Sequence, residues 1–403
     1  MNNLFEFLKE RGLIYQCTNE EEVKKLLNGK PITFYLGIDP TASSLHLGHF
    51  CSLMIFKYLQ EAGHKGLLLL GGATGMIGDP SGRTDLRQMM TRETVDNNVS
   101  AMLSLCSKFI DLSPKSGAKI VNNNDWMKDI SYVDFLRDVG TYFNVNVMLA
   151  ADAYKNRLTT GGLTFLEMGY MPIQAHDYEH LYFAENCRLE IGGSDQWGNI
   201  VAGVELMRKK HGISVTAVTT PLLLNSEGKK MGKTAKGAVW IDPNRMSAYD
   251  FYQYFVNIGD QDVATLLRWF TKIPVAEIEQ MVKTDIIAAK KKMAFTLTEM
   301  IHGTANALEA VKTSEELFAK GGVSNNMPQV SYSAAALKTG VGVCQLLEET
   351  KICATRSEAR RLIEQGGVVI NNNKVEDVKM LVVSTEPLIV RRGKKMIVRI
   401  KPE

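Results

Sequence analysis

Long apolar runs, paired cysteines and metal-binding signatures are all missing from this chain of 403 residues. The longest purely aliphatic run, Leu67 to Leu70, falls far short of the roughly 20 apolar residues that a membrane span needs. The stretch Met1 to Glu10 carries acids inside its apolar part, so neither a signal peptide nor a transmembrane helix is expected. The six cysteines, at 17, 51, 106, 187, 344 and 353, include no C-x-x-C pair, which argues against a structural zinc site and a disulfide framework. A reducing cytoplasm is the expected compartment. Repeats, low-complexity tracts and an H-E-x-x-H cluster are absent too. What is present is typical of a globular protein: 45% hydrophobic and 23% charged residues, in a length that implies two or three domains.

The net charge of +3 is unevenly spread. Residues 331 to 403 hold 13 Lys/Arg against 8 Asp/Glu and carry +5, which leaves −2 for the rest. A small basic C-terminal module is therefore expected, of the kind that binds nucleic acid or simply presents a solvated face.

Thr33 to Gly37 reads as a short buried strand, and Leu47 to Ala62 sets Phe50, Met54 and Tyr58 at helical spacing before Gly63. Gly66 to Leu70 is the next strand. This is a β-α-β unit, and open parallel sheets bind ligands at the carboxyl ends of their strands. Gly71 to Arg83 has five glycines in thirteen residues, so the backbone there either approaches something closely or moves. Residues 84–185 are mostly helical, with a strand end at Val121 to Asn124, and read as an insertion between two halves of one sheet. Leu189 to Gly198 restores the strand-to-glycine-loop pattern, and Val218 to Leu224 supplies another strand before the polar loop Asn225 to Thr234.

The expected fold class is α/β. A Rossmann-like parallel-sheet domain spans 1–235 with its insertion at 84–185, followed by a helical domain at 236–320, a linker at 321–340 and a small basic α+β domain at 341–403. The aromatics Phe251, Tyr252, Tyr254, Phe255, Trp269 and Phe270 are read as helical core. Thr355 and Glu358 form a capping box opening a helix that exposes Arg356, Arg360 and Arg361 and stops at Gly366 and Gly367, ahead of the strand Val368 to Ile370.

His46-Leu-Gly-His49 admits three readings. A metal site would need a third ligand and an acid, which no nearby cluster offers. Buried structural imidazoles are the second. The third is a phosphate site, because the pair falls in the first turn of a helix after a strand, where free amides and the helix dipole attract anions and Gly48 leaves the backbone bare. Lys229-Lys-Met-Gly-Lys-Thr234 alone could be a solvated turn. In this order and at this separation, however, the two segments resemble the HIGH and KMSKS motifs of class I aminoacyl-tRNA synthetases.

Further segments narrow the resemblance to the bacterial tyrosyl type: Tyr35-Leu-Gly-Ile-Asp-Pro-Thr41, Gly78-Asp-Pro-Ser-Gly82, Gly192-Gly-Ser-Asp-Gln-Trp-Gly-Asn199 and the basic C-terminal module. The resemblance implies activation of tyrosine by ATP, transfer to the 3′ end of its tRNA, and a homodimer formed through the inserted segment. It also implies Mg2+ accompanying ATP, with no protein-bound structural metal. His46, His49, Lys230, Lys233 and Thr234 would act on the ATP phosphates. Gly37, Asp39, Thr41, Gly48, Gly193, Asp195 and Gln196 would line the ATP side, with Arg83 and Arg87 on a basic loop. Tyr35 and Asp177 would meet the substrate's phenol, and Asp79, Tyr170 and Gln174 its amino group. Arg356, Arg360 and Arg361 would contact RNA. Three positions depart from the family pattern: Gly232 replaces a serine, His176 stands where tyrosine is common, and Glu190 where glutamine is common. The alternatives are a tryptophanyl-type synthetase, a small adenylyltransferase, and a non-catalytic RNA-binding protein on the same scaffold.

Overall fold

A computed structural model describes residues 3–81, 89–234, 237–318, 327–393 and 396–403. Six strands make its main sheet: β1 (Gln16–Cys17), β2 (Thr33–Ile38), β3 (Lys65–Leu70), β4 (Lys119–Asn122), β5 (Cys187–Gly193) and β6 (Thr216–Thr220), in the order β1-β6-β5-β2-β3-β4. All neighbours are parallel except β1, which runs antiparallel to β6 at the edge. From β2 the chain winds through β3 to β4 on one side and returns to β5 on the other. The reversal opens a crevice between the carboxyl ends of β2 and β5, the place where such sheets bind ligands.

The leucines of β3 are buried, as expected of a strand covered on both faces. The helix Leu47–Glu61 buries Phe50, Met54 and Tyr58. β6 is shorter than the expected Val218 to Leu224, because Pro221 has no amide to continue the ladder.

The stretch 84–185 is not wholly outside the sheet. β4 lies within it and pairs with β3, and the helix Tyr170–Glu185 packs on β5 and on the helix Trp197–His211. The short helices between Tyr132 and Met168 add no strand and pack on the covering helices, Val139 against Ala175 and Leu206, and Met148 and Tyr154 against Met171. A four-residue strand inside a helical neighbourhood leaves little periodic signal.

The chain divides into two compact units, one of residues 1–232, 238–242 and 264–280, the other of 233–237, 243–263 and 281–403. The expected helical block is thus split. Its segment 264–280 groups with the sheet, where Arg11 donates to the carbonyls of Arg268, Thr271 and Ile273 and Phe270 stacks on Phe50 at 4.7 Å. Trp269 and Phe270 are core, as read, but of this unit.

In the other unit the helices Ala248–Val256, Ile286–His302 and Thr304–Phe318 pack together around Phe251 and Phe255. A five-stranded sheet runs in the order Asn373–Lys374, Val368–Ile370, Leu388–Arg392, Met396–Pro402, Gln329–Tyr332. Its last strand, with the helix Ala334–Thr339, falls in the stretch expected as linker, where alternating Val330 and Tyr332 pack on the module's core. The helix Arg356–Glu364 is capped by Thr355, whose hydroxyl accepts from the Glu358 amide.

Candidate active site

Three loops meet the crevice, following β2, β3 and β5. His46 is the N-cap of the helix Leu47–Glu61: its Nδ1 accepts from the Gly48 amide at 3.1 Å, and His49 Nδ1 accepts from the His46 amide at 3.2 Å. The two imidazoles thus form a reciprocal capping box, their centroids 4.0 Å apart. With Nδ1 accepting in each, the neutral rings carry their proton on Nε2. His49 is lowered to about 3, first by burial and then by the neighbouring His46 ring, so it is neutral at pH 7. Gly48 has a local reason to be glycine: a Cβ would stand 2.9 Å from His46 Cε1 and displace the cap.

The loop after β3 approaches Asp39 so closely that only glycine fits. A Cβ on Gly71 would lie 2.2 Å from Asp39 Oδ1 and 2.3 Å from Thr74 Oγ1. Asp39 accepts from the Thr74 hydroxyl at 2.7 Å and the Tyr170 hydroxyl at 3.0 Å, and its carbonyl accepts from the Thr41 amide. Asp79 accepts from the Ser81 amide and from Gln196 Nε2. Asp195, after Gly193 at the end of β5, stands 3.6 Å from Lys230. Burial raises the Asp195 carboxyl and the lysine opposes that shift. Gly37 is exposed at the end of β2.

Tyr35, Gln174, Asp177 and Glu190 make a buried polar group at the sheet. Asp177 accepts from Asn123 Nδ2 at 3.0 Å and Trp126 Nε1 at 2.9 Å, and Glu190 accepts from Gln174 Nε2 at 2.9 Å. Burial raises both carboxyls, Asp177 to about 8 and Glu190 to about 7. Asn123 also donates to Thr74, so one chain of hydrogen bonds runs Asp39–Thr74–Asn123–Asp177–Trp126. Thr74, Asn123 and Trp126 are missing from the residues expected from sequence. Asn123 sits in a triple-asparagine run that reads as a turn, and nothing in the sequence marks it as fully buried.

The departures resolve differently. Gly232 has φ +87, and a Cβ there would meet Leu47 Cβ at 3.1 Å, so the backbone itself explains glycine in place of serine. His176 bonds Glu179, which also binds His211 and Lys210; that cluster is separate from the hydrogen bonds that Asp177 accepts from Asn123 and Trp126. Glu190 does belong to the pocket. Arg83 and Arg87 lie outside the described residues, as do the side chains of Lys233 and Thr234, whose backbone forms a short strand. Arg356, Arg360 and Arg361 are exposed, with Arg356 paired to Glu348 at 2.7 Å.

A family model described as class I tRNA synthetases (W and Y) matches residues 27–319, and one described as the tyrosine--tRNA ligase SYY-like C-terminal domain matches 320–400. The chain belongs to the tyrosyl-tRNA synthetases. The tyrosine--tRNA ligase of Acetivibrio thermocellus is 47% identical over 408 residues, covering 100% of both chains. That of Caldanaerobacter subterraneus is 47% identical over 400 residues, 98% of each. The crystal structure of a C-terminally truncated mitochondrial tyrosyl-tRNA synthetase from Aspergillus nidulans superposes with a TM-score of 0.68 at 30% identity, covering 79% of this chain and 95% of that one. Full-length identity to tyrosine enzymes disfavours the tryptophanyl, adenylyltransferase and non-catalytic alternatives. Among the described residues no helix is long and apolar enough to cross a membrane.

Proposed function

We propose that the crevice between β2 and β5 is where this tyrosine--tRNA ligase forms tyrosyl-adenylate. The enzyme activates tyrosine with ATP, releasing pyrophosphate, and transfers the tyrosyl group to the 3′ end of its tRNA. The observation that carries the site assignment is the reciprocal imidazole cap, which holds two neutral rings, each with its proton on Nε2, at the start of the helix that follows β2.

The nucleophile is an α-carboxylate, ionised at pH 7, so no general base is needed for activation. The protein's task is to position the reactants and to stabilise charge growing on the phosphates. His46 and His49 donate Nε2–H to phosphate oxygens, and Gly48 lies under the adenosine. Lys230, Lys233 and Thr234 close over the leaving pyrophosphate, with Arg83 and Arg87 as further cations. Gly37, Asp39, Thr41, Gly193, Asp195 and Gln196 line the adenylate side. Tyr35 and Asp177 receive the phenol; Asp79, Tyr170 and Gln174 receive the ammonium group. Among the described residues no cluster of three or more His, Cys, Asp or Glu could hold a metal ion. Mg2+ accompanies ATP as part of the nucleotide substrate.

Arg356, Arg360 and Arg361, on one capped helix of the basic module, contact tRNA phosphates. The short helices of the inserted segment expose Tyr132, Val133, Val145, Val147, Phe165 and Leu166, and this apolar surface supports a homodimer. The catalytic, helical and C-terminal parts and a cytoplasmic location complete the reading. Incubating the purified chain with ATP, labelled tyrosine and tRNA tests it: acid-precipitable tyrosine is expected, and none forming with active tRNA would refute it.

A further inference from the structure

Three buried side-chain atoms around the sheet pocket have no hydrogen-bond partner: the Tyr35 hydroxyl, Glu190 Oε2 and Gln174 Oε1. Leaving a buried polar atom unpaired costs about 1–3 kcal/mol, so such atoms clustered in one place point to a ligand that satisfies them. The ammonium group of the proposed substrate accounts for Gln174. The other two adjoin each other, and an oxygen placed between them would complete both. Tyr35 and Glu190 are register partners on β2 and β5, so both side chains leave the same face of the sheet, at 1% and 2% exposure. Burial, then the Glu190 carboxyl, raises the Tyr35 hydroxyl, and the hydroxyl in turn acts on Glu190 as a hydrogen-bonding neighbour, so the two already interact although their geometry falls short of a completed bond.

Asp177, 1% exposed on the helix Tyr170–Glu185, is a second buried acid: burial disfavours its ionisation most, and Glu190 adds to that. The other titratable groups acting here are Asp39 beyond β2, Tyr178 beside Asp177, and Cys187 on β5. β6 carries only threonine, alanine and valine, and Arg188 lies over the Tyr182 ring. Among the described residues no lysine, arginine or histidine makes a hydrogen bond or ion pair with either carboxyl. Two acids without a counter-cation in a buried pocket do not ionise independently, and their protons belong to the pair.

We propose that Glu190 is a specificity-determining residue: with Asp177 it forms a carboxyl pair that retains one proton, so that one carboxyl donates to the phenolic oxygen while the other, ionised, accepts the phenolic O–H. This rests on the reading of the pocket as the tyrosine site. When the shared proton leaves, the phenolic oxygen faces two carboxylates and keeps only the Tyr35 hydroxyl as donor. Tyrosine therefore binds the proton-bearing pocket more tightly, and by linkage its binding draws a proton in.

Calorimetric titration of the full chain with tyrosine, from pH about 6.5 to 8.5 in two buffers of different ionisation enthalpy, tests this across the range where burial places the two groups. Wild-type affinity is expected to fall towards about tenfold per pH unit at the upper end, with uptake of up to about one proton. Glu190→Gln offers a donor and an acceptor that do not titrate, so its affinity should vary much less with pH and its proton uptake should drop to the share owed to tyrosine's own amino group. Comparing the variants cancels the titration of tyrosine's own amino group. Wild-type binding without proton uptake would overturn the inference alone, even if the variant does not fold. Tyrosine failing to bind at any pH would instead overturn the pocket reading beneath it.

Discussion

His46 and His49 each engage Nδ1 with a backbone amide, so one pair of side chains both starts a helix and keeps its ring protons on Nε2. In the proposed role His46→Ala slows adenylate formation more than it weakens tyrosine binding, read from single-turnover rates against the tyrosine Kd; equal losses would contradict a transition-state role. The lost cap should also cost about 1 kcal/mol of stability. Glu179 shows a different use of charge at this scale. Burial alone would raise its carboxyl, but bonds to His176, Lys210 and His211 outweigh that and bring it to about 2. Its folded pKa lies below the unfolded value of about 4.3, so its contribution is present above that value and is lost as pH falls towards 2. Glu179→Gln should lower the melting temperature at pH 7 and flatten its fall on acidification through that window. A variant with the wild-type acid slope would show that the cluster does not act through this carboxylate.

At the scale of elements, strand β2, the helix Leu47–Glu61, strand β3 and the capped C-terminal helix are legible because apolar periodicity, glycine stops and a capping box agree there. β4 is too short to announce itself, and segment 264–280 is assigned to its unit by Arg11, Phe50 and Tyr58, contacts more than two hundred residues distant in sequence. The candidate site divides the same way. Residues inside ordered motifs are readable, whereas Thr74, Asn123 and Trp126 hold Asp39 and Asp177 only once the sheet brings their loops together. The Gly71 loop is the most constrained of these junctions. Gly71→Ala would drive a methyl into Asp39 and Thr74, so a loss of tyrosine activation is expected in exchange assays, with destabilisation of about 1–3 kcal/mol by thermal melts. Unchanged activity would mean that the loop can yield without moving Asp39.

For the whole molecule, the proposed function puts activation and tRNA recognition on different parts of the chain: the sheet's crevice, and a basic module whose helix exposes Arg356, Arg360 and Arg361. Replacing these three arginines with alanine should weaken tRNA binding and reduce its salt dependence, while amino-acid activation without tRNA proceeds as before. A triple variant with the wild-type salt slope would remove that helix from the RNA surface. The central claim concerns the crevice, and ATP–pyrophosphate exchange with tyrosine, tryptophan or phenylalanine as the only amino acid tests it most directly. Pocket groups left unpaired by phenylalanine should reject it strongly, a rule of which tyrosyl enzymes are themselves the standard instance. Exchange with tyrosine and almost none with the other two is the expected result; exchange with no amino acid, or equally with phenylalanine, would contradict the account.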